Sequence, residues 1–186
     1  MGNSFSANYD YKELFEVSSP ASLSHYFYPG ASQIGGHDGM LVEVYPDEYA
    51  AWQGTFAFGK VIPNGLSGVF AMPNPQQICV VSRGSGYLVS VINPTSWECI
   101  DAIPVIGVYP VLAQGIVVFA SFTNLVAYGL EGVKWRTERL TWDGMKITEL
   151  TDRFIKGEFW DLRNESTAEF IVDLATGSHE GGASGF

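Results

Sequence analysis

The chain has 186 residues, of which 46% are hydrophobic, 14% aromatic and only 16% charged, and its formal net charge is −10. A typical domain has about 25% charged residues and about 7% glycine, whereas 21 residues of this chain are glycine. The composition excludes a disordered chain, a coiled coil and a disulfide scaffold, and it predicts one turn-rich β domain over residues 1–186. The 10 Lys and Arg residues argue against a nucleic-acid partner, which requires basic contacts to phosphate.

Strand-like segments dominate the chain after residues 1–39, which we expect to be irregular apart from a short amphipathic helix over Tyr9–Val17. The tail, residues 178–186, is predicted to be flexible. Short segments between turns rich in Gly, Pro, Asn and Asp are typical of an all-β sandwich, barrel or propeller. The predicted strands are Met40–Tyr45, Gly54–Phe58, Gly68–Met72, Ile78–Ser82, Tyr87–Ile92, Trp97–Ile100, Gly115–Ser121, Leu125–Gly129, Lys134–Leu140, Lys146–Leu150, Ile155–Trp160 and Glu169–Leu174.

Four turns follow a common pattern, in which a hydrophobic strand leads into a polar turn that is followed by a Trp or a Gly. The turns are centred on residues 47, 93, 129 and 173, at steps of 46, 36 and 44 residues. Trp52, Trp97 and Trp135 follow the first three turns, and we expect them to pack between sheets. A propeller blade takes roughly 40–50 residues. The spacing therefore predicts a small β-propeller-like array of three to four antiparallel blade-like sheets, with a β-sandwich as the alternative.

Two of these turns resemble those of a known family. The segment from Ala127 to Trp135 resembles the repeat of the quinoprotein-like β-propellers, whose turn reads Ala-x-Asp-x-x-Thr-Gly and is followed by Trp. Asp173 to Gly177 matches the Asp-x-x-Thr-Gly part directly, although Gly181 stands where that Trp is expected. The stretch from Lys134 to Gly144 is similar to uncharacterised bacterial propeller-like proteins. The resemblance implies a propeller-like fold, and it implies neither an activity nor the quinone cofactor, so we expect no cofactor.

Charged residues are unevenly distributed along the chain. Residues 49–130 contain four of them, Lys60, Arg83, Glu98 and Asp101, whereas residues 131–163 contain seven acids and seven bases. The charge-poor stretch either packs against a core on both sides, is solvated by small polar residues, or is covered by another molecule. An open array of sheets also leaves unpaired edges. Both features predict a homodimer or a protein partner.

The strongest candidate for a binding surface lies between residues 135 and 143. It consists of Trp135, Arg136, Arg139, Trp142 and Asp143. Aromatic residues and arginine are enriched at the residues that dominate binding energy. The alternative interpretation is packing between sheets together with ion pairs at a strand edge.

No pattern of catalytic residues is evident in the sequence. His25, His37 and His179 lack the spacing of metal ligands, and Ser85 lies in a hairpin turn without the Gly-x-Ser-x-Gly pattern of a nucleophile. We therefore expect no catalytic and no metal-binding residues. The favoured function is a non-catalytic protein-binding or self-assembling module.

The alternative function is a small hydrolase or lyase that acts on a carbohydrate or another small molecule. In that case Trp52, Trp97 and Tyr87 are candidates for stacking on a sugar ring, and His37 and Asp161 are the candidate catalytic residues.

Cys79 and Cys99 lie in strand-like segments without a CxxC spacing, which favours two buried free thiols over a disulfide. Prolines and glycines interrupt the uncharged run 102–130, so it does not read as a transmembrane helix. With no signal peptide in the sequence, we expect a cytoplasmic protein that does not associate with a membrane.

Overall fold

The computed structural model describes residues 4–16, 23–30 and 38–183, and these residues form 16 β-strands and one short 3-10 turn, Leu112–Gln114. No helix in this part of the chain is long and apolar enough to cross a membrane. The strands are β1 (Tyr9–Leu14), β2 (Ser24–Tyr28), β3 (Gly39–Pro46), β4 (Trp52–Ala57), β5 (Gly68–Ala71), β6 (Gln77–Ser82), β7 (Ser85–Ser90), β8 (Trp97–Cys99), β9 (Gly107–Val111), β10 (Ile116–Ala120), β11 (Leu125–Gly129), β12 (Gly132–Arg136), β13 (Lys146–Leu150), β14 (Phe154–Asp161), β15 (Ser166–Asp173) and β16 (His179–Gly181).

The described strands form four four-stranded sheets. Sheet 1 has the order β1-β3-β4-β2, and sheets 2, 3 and 4 contain β5–β8, β9–β12 and β13–β16 as simple meanders. Neighbouring strands are antiparallel except for β2 and β4, which are parallel. The β-propeller-like array predicted from the sequence is therefore confirmed, with four blade-like sheets.

Three apolar clusters hold the four sheets together. One joins sheets 1 and 2, with Val42 and Phe56 against Val80 and Val89. The other two join sheet 2 to sheet 3 and sheet 3 to sheet 4. Among residues 4–16, 23–30 and 38–183, no apolar cluster joins sheet 4 to sheet 1. Over these residues the array is therefore open, and each terminal sheet shares an apolar cluster with one neighbour.

The low charge between residues 49 and 130 follows from this stacking. In β6, Ile78 and Val80 pack against sheet 1, while Cys79 and Val81 pack against sheet 3. Strand β10 is likewise buried on both of its faces. Because alternate residues of a strand point to opposite faces, a sheet buried on both sides has no position for a charge. The first interpretation, packing against a core on both sides, therefore holds for these central strands, while β5 and β8 of the same stretch are half-buried or exposed.

Two tryptophans that follow the repeated turns link successive sheets. The Trp52 indole N–H donates to the Val91 carbonyl oxygen of sheet 2 at 2.9 Å. The Trp135 indole N–H donates to the Leu174 carbonyl oxygen of sheet 4 at 2.8 Å. Both indoles are buried, so each hydrogen bond satisfies a donor and an acceptor that have no access to water. The expectation that these two tryptophans pack between sheets is confirmed.

The turn after β15 is shaped to receive Trp135. The Asp173 Oδ1 atom accepts hydrogen bonds from the Thr176 hydroxyl at 2.8 Å and from the backbone N–H groups of Thr176 and Ala175 at 2.9 and 3.0 Å. These bonds, that of the Thr176 hydroxyl above all, lower the pKa of Asp173. Gly177 follows with φ at +76°, and a Cβ atom there would lie 2.8 Å from the Trp135 ring. The turn therefore needs glycine both for its backbone conformation and for space.

The N-terminal part of the chain departs from the sequence prediction. Residues 9–14 form β1 rather than a helix, and β1 pairs antiparallel with β3 from Tyr9 opposite Pro46 to Leu14 opposite Leu41. The predicted helix was wrong because the edge of β3 offers backbone partners that local propensity does not register. Val17, the last residue of that prediction, lies outside the described residues.

Three further strands were not predicted. Strand β2 lies within the segment expected to be irregular, and β9 contains Pro110, which weakens the strand signal. Strand β16 pairs with β15 inside the tail that was expected to be flexible, and residues 184–186 of that tail lie outside the described residues.

Both cysteines are free, and they differ in exposure. Cys79 is buried in the cluster between sheets 2 and 3, whereas Cys99 is exposed on the short strand β8. The expectation of two buried thiols was therefore wrong for Cys99. Burial raises the pKa of the Cys79 thiol, so it stays protonated and unreactive.

We expect Gly177→Ala to destabilise the protein more than Gly115→Ala does. Gly115 has φ at +62° with open space around its Cβ position, so alanine there costs about 1–2 kcal/mol of backbone strain. At Gly177 the new methyl group also displaces the Trp135 ring, which raises the loss of unfolding free energy to roughly 2–4 kcal/mol. Urea denaturation of the two variants measures the difference, and equal losses would contradict the role of Trp135.

Thiol labelling with Ellman's reagent is expected to modify Cys99 alone in the native protein. In denaturant Cys79 becomes accessible as well, so the count of reacting thiols doubles. Cys99→Ser is the control, because this variant should not react with Ellman's reagent in its native form. Rapid labelling of native Cys99→Ser would contradict the burial of Cys79.

Candidate functional site

The residues proposed from the sequence as a binding surface do not form one surface. Trp135 is buried between sheets 3 and 4, so it belongs to the core. Arg136 is exposed and forms an ion pair with Asp101. The Arg139 guanidinium lies 4.8 Å from the centre of the Trp142 ring, and Asp143 is exposed nearby in sequence. The structure brings Arg139 and Trp142 together and separates Trp135 from the surface.

The aromatic residues considered as a sugar platform are mostly inaccessible. Trp52 and Tyr87 are buried, and the Tyr87 hydroxyl donates to the Ala57 carbonyl oxygen at 3.0 Å. That hypothesis was therefore wrong for these two residues. Trp97 is half-buried and lines a groove of about 360 Å³ together with Glu98 and Glu131.

The two candidate catalytic residues are not brought together with other catalytic groups among the described residues. His37 lies outside them. The Asp161 side chain accepts hydrogen bonds from the backbone N–H of Arg163 at 3.0 Å and from the Asn164 amide at 2.6 Å, so it shapes the turn between β14 and β15. No group of three or more His, Cys, Asp or Glu side chains able to hold a metal ion occurs in the described part of the chain.

A groove of about 700 Å³ lies on the outer face of sheet 1, the face that points away from sheet 2. Its floor consists of His25 and Phe27 from β2, Leu41 from β3 and Thr55 from β4. Trp52 and Phe56 alternate with Thr55 along β4 and pack into the core, so Thr55 faces outward. We call this feature the sheet 1 groove.

The rim of the groove is formed by residues at the ends of strands and in turns. Phe15 and Glu16 follow β1, Asp38 precedes β3, Phe58 follows β4, and Arg83 lies in the turn between β6 and β7. The Phe15 side chain is fully exposed. The rim therefore combines aromatic rings with charges of both signs.

His25 is the titratable group on the floor. Its Nε2 atom lies 2.7 Å from the Thr55 hydroxyl oxygen, and its ring stacks on Phe27 with centroids 4.4 Å apart. Burial lowers the pKa of the imidazole. At neutral pH His25 is therefore uncharged and takes part in the groove as a hydrogen-bonding group.

A row of buried polar side chains continues from Thr55 across the same face. Gln53 is 2% exposed and lies in register with His25 on β2 and with Glu43 on β3. The Gln53 Nε2 atom has no hydrogen-bond partner among the described residues. Leaving a buried amide unsatisfied costs about 1–3 kcal/mol. The outer face of sheet 1 thus retains polar groups at positions where the inner face is aliphatic or aromatic.

Arg83 occupies an unusual backbone conformation at the rim. Ser82 pairs with Ser85, and the two residues between them, Arg83 and Gly84, have φ at +46° and +81°. A two-residue hairpin turn with both φ values positive is type I′, which favours Asn-Gly. The Arg83 guanidinium lies 3.8 Å from the centre of the Phe58 ring. Among the described residues it has no ion-pair partner.

His25, Thr55 and Arg83 are absent from the site predicted from the sequence. His25 and Thr55 are 30 residues apart, and only the parallel pairing of β2 with β4 brings them together. Arg83 does leave a signal, because an arginine stands where the turn Arg83-Gly84 prefers asparagine.

No family model and no curated protein matches the sequence. The chain is similar in structure to the crystal structure of the N-terminal domain of Nup159, with 14% sequence identity and a TM-score of 0.42. The similarity covers 95% of this chain and 50% of that one, so the chain spans about half the length of that structure.

We expect His25 to titrate below the ordinary imidazole pKa of about 6.5. Because the folded-state pKa is lowered, the unfolded chain binds more protons as the pH falls through about 6.5 towards the folded value. The unfolding free energy should therefore decrease as the pH falls through that window, and His25→Gln should remove this part of the pH dependence. NMR titration of the imidazole and urea midpoints from pH 5 to 8 measure both effects. A His25 pKa above 6.5 would contradict the burial.

Proposed function

We propose that the chain is a non-catalytic protein-binding module that acts through the outer face of sheet 1. The observation that carries this proposal is that the four sheets share three apolar interfaces among the described residues, while the terminal sheet 1 presents a large groove. Clefts of this size that combine apolar walls with a few polar groups are typical of binding sites. We assign the module no cofactor and no nucleic-acid partner, and we place it in the cytoplasm.

The two terminal faces differ in how their charges are satisfied. On the outer face of sheet 4, Lys146 lies 2.9 Å from Glu158 and Lys156 lies 3.0 Å from Glu169. Such paired and solvated charges are typical of the polar outer face with which stacked repeats end. Glu16, Asp38 and Arg83 around the sheet 1 groove form no ion pair with any described residue. These charges without an ion-pair partner among the described residues favour sheet 1 as the binding end.

The groove supports binding better than catalysis. Among the described residues, no carboxylate contacts His25, so the imidazole lacks the partner that orients a general base in hydrolases. A neutral histidine, a threonine hydroxyl and an unpaired arginine instead provide hydrogen bonds to a ligand that stays unchanged.

A second candidate function is that of a small hydrolase, because the imidazole of His25 lies 2.7 Å from the Thr55 hydroxyl. A hydroxyl in contact with a neutral imidazole is the arrangement of an activated nucleophile. Turnover of generic ester or glycoside substrates that is lost in Thr55→Val would favour this function over binding.

The protein partner that is available for a first test is a second copy of the chain. We expect the purified protein to self-associate reversibly at high concentration and to give a dimer in sedimentation velocity. Phe27→Glu places a charge on the floor of the groove and should shift the protein to monomer, because a buried unpaired charge is unfavourable.

Ile171→Glu is the matched control for this experiment. Ile171 is exposed on the outer face of sheet 4, so the same change of charge there should leave self-association intact. A clean monomer at high concentration would rule out self-assembly, and loss of the dimer in Ile171→Glu alone would assign the interface to sheet 4.

A further inference from the structure

Arg83 is held in place at the rim of the sheet 1 groove before any ligand arrives. Its backbone lies in the left-handed region, where a non-glycine residue other than Asn or Asp is uncommon. Its guanidinium rests on the Phe58 ring at 3.8 Å. Stacking leaves the planar edge of a guanidinium free, and that edge matches the two oxygens of a carboxylate. An arginine fixed in this way loses little conformational freedom on binding.

The remainder of the groove indicates what accompanies the carboxylate. Phe27 and Leu41 offer apolar contacts on the floor, and His25 and Thr55 offer hydrogen bonds between them. Glu16 and Asp38 also line the groove, and their charges disfavour a second acidic group. A ligand with a single carboxylate flanked by apolar groups, and with a basic group near Glu16 and Asp38, complements all of these features.

Strand β2 adds a place for an extended backbone beside the groove. It forms one edge of sheet 1, where β4 is its only neighbour among the described strands. The free edge of such a strand presents backbone N–H and C=O groups that can pair with an added strand. His25 and Phe27 project from this strand into the groove, so a segment paired with β2 would place alternate side chains on the same face.

We propose that the sheet 1 groove binds an extended peptide segment of a partner protein through one carboxylate side chain, which Arg83 holds between flanking apolar residues. This inference rests on the proposed function, because it names the chemistry of the partner that the same groove would take.

The test uses two N-acetylated, C-amidated peptides, Leu-Asp-Leu-Lys-Leu and its counterpart with asparagine in place of aspartate. Each is titrated into the ¹⁵N-labelled protein and followed by NMR shifts. We expect the aspartate peptide to bind roughly ten- to a hundredfold more tightly, the difference that a charge-assisted hydrogen-bonded pair supplies. The shifts should map to β2, β4 and the Arg83 turn, and the preference should decrease at high salt.

Arg83→Asn should remove the preference for aspartate without unfolding the protein. Asparagine is the residue that a type I′ turn favours at this position, so the urea midpoint should be unchanged or higher. Arg83→Lys should recover only part of the preference, because an ammonium group cannot form the planar paired contact. Arg139→Asn is the matched control, since Arg139 also lies over an aromatic ring, at 4.8 Å from Trp142, and it should bind like the native protein.

Three results would overturn the inference: equal affinity for the two peptides, no binding of either, or loss of the preference in Arg139→Asn in place of Arg83→Asn. Failure of this inference can be distinguished from failure of the proposed function. If neither peptide binds while Phe27→Glu still abolishes self-association, the groove is a protein-binding site whose partner has a different chemistry.

Discussion

The burial of sheet faces against one another is the constraint on which the rest of this structure depends. In the part of the chain that the structure describes, the four sheets share three apolar interfaces, so the two central sheets are buried on both sides and the two terminal sheets on one. The distribution of charged residues among the strands follows directly from this arrangement. Strands β6 and β10 of the central sheets contain no charged residue, whereas β14 of sheet 4 alternates Ile155 and Phe159 on the core side with Lys156 and Glu158 on the solvent side.

Apolar contact has no directional preference, whereas the buried hydrogen bonds of Trp52 and Trp135 each require a specific alignment of neighbouring sheets. Each indole must reach one carbonyl oxygen of the next sheet, because a buried donor left unpaired is costly. At Trp135 the acceptor is positioned by the turn from Asp173 to Gly177, whose hydrogen bonds are local. A short turn motif thereby determines how two sheets are aligned.

The same physical reasoning separates the two ends of the array. On the outer face of sheet 4, Lys146 pairs with Glu158 and Lys156 pairs with Glu169, so these charges are partnered within the sheet. Sheet 1 ends in a groove where His25 is uncharged and where Arg83 stacks on Phe58 without an ion-pair partner among the described residues. Groups that carry unsatisfied hydrogen-bonding capacity in a fixed geometry are the ones whose energy improves on binding.

The sequence by itself determined the class of fold, the positions of most strands and the four turns, because alternation of side chains and the residues of tight turns are local properties. It did not reveal β1 and β2, since their pairing with β3 and β4 is a long-range event that local propensity opposes or ignores. Only the tertiary structure decided that Trp135 lies in the core and that His25, Thr55 and Arg83 share a groove. A binding site of this kind is assembled from residues distant in sequence by the stacking of sheets, which no local pattern encodes.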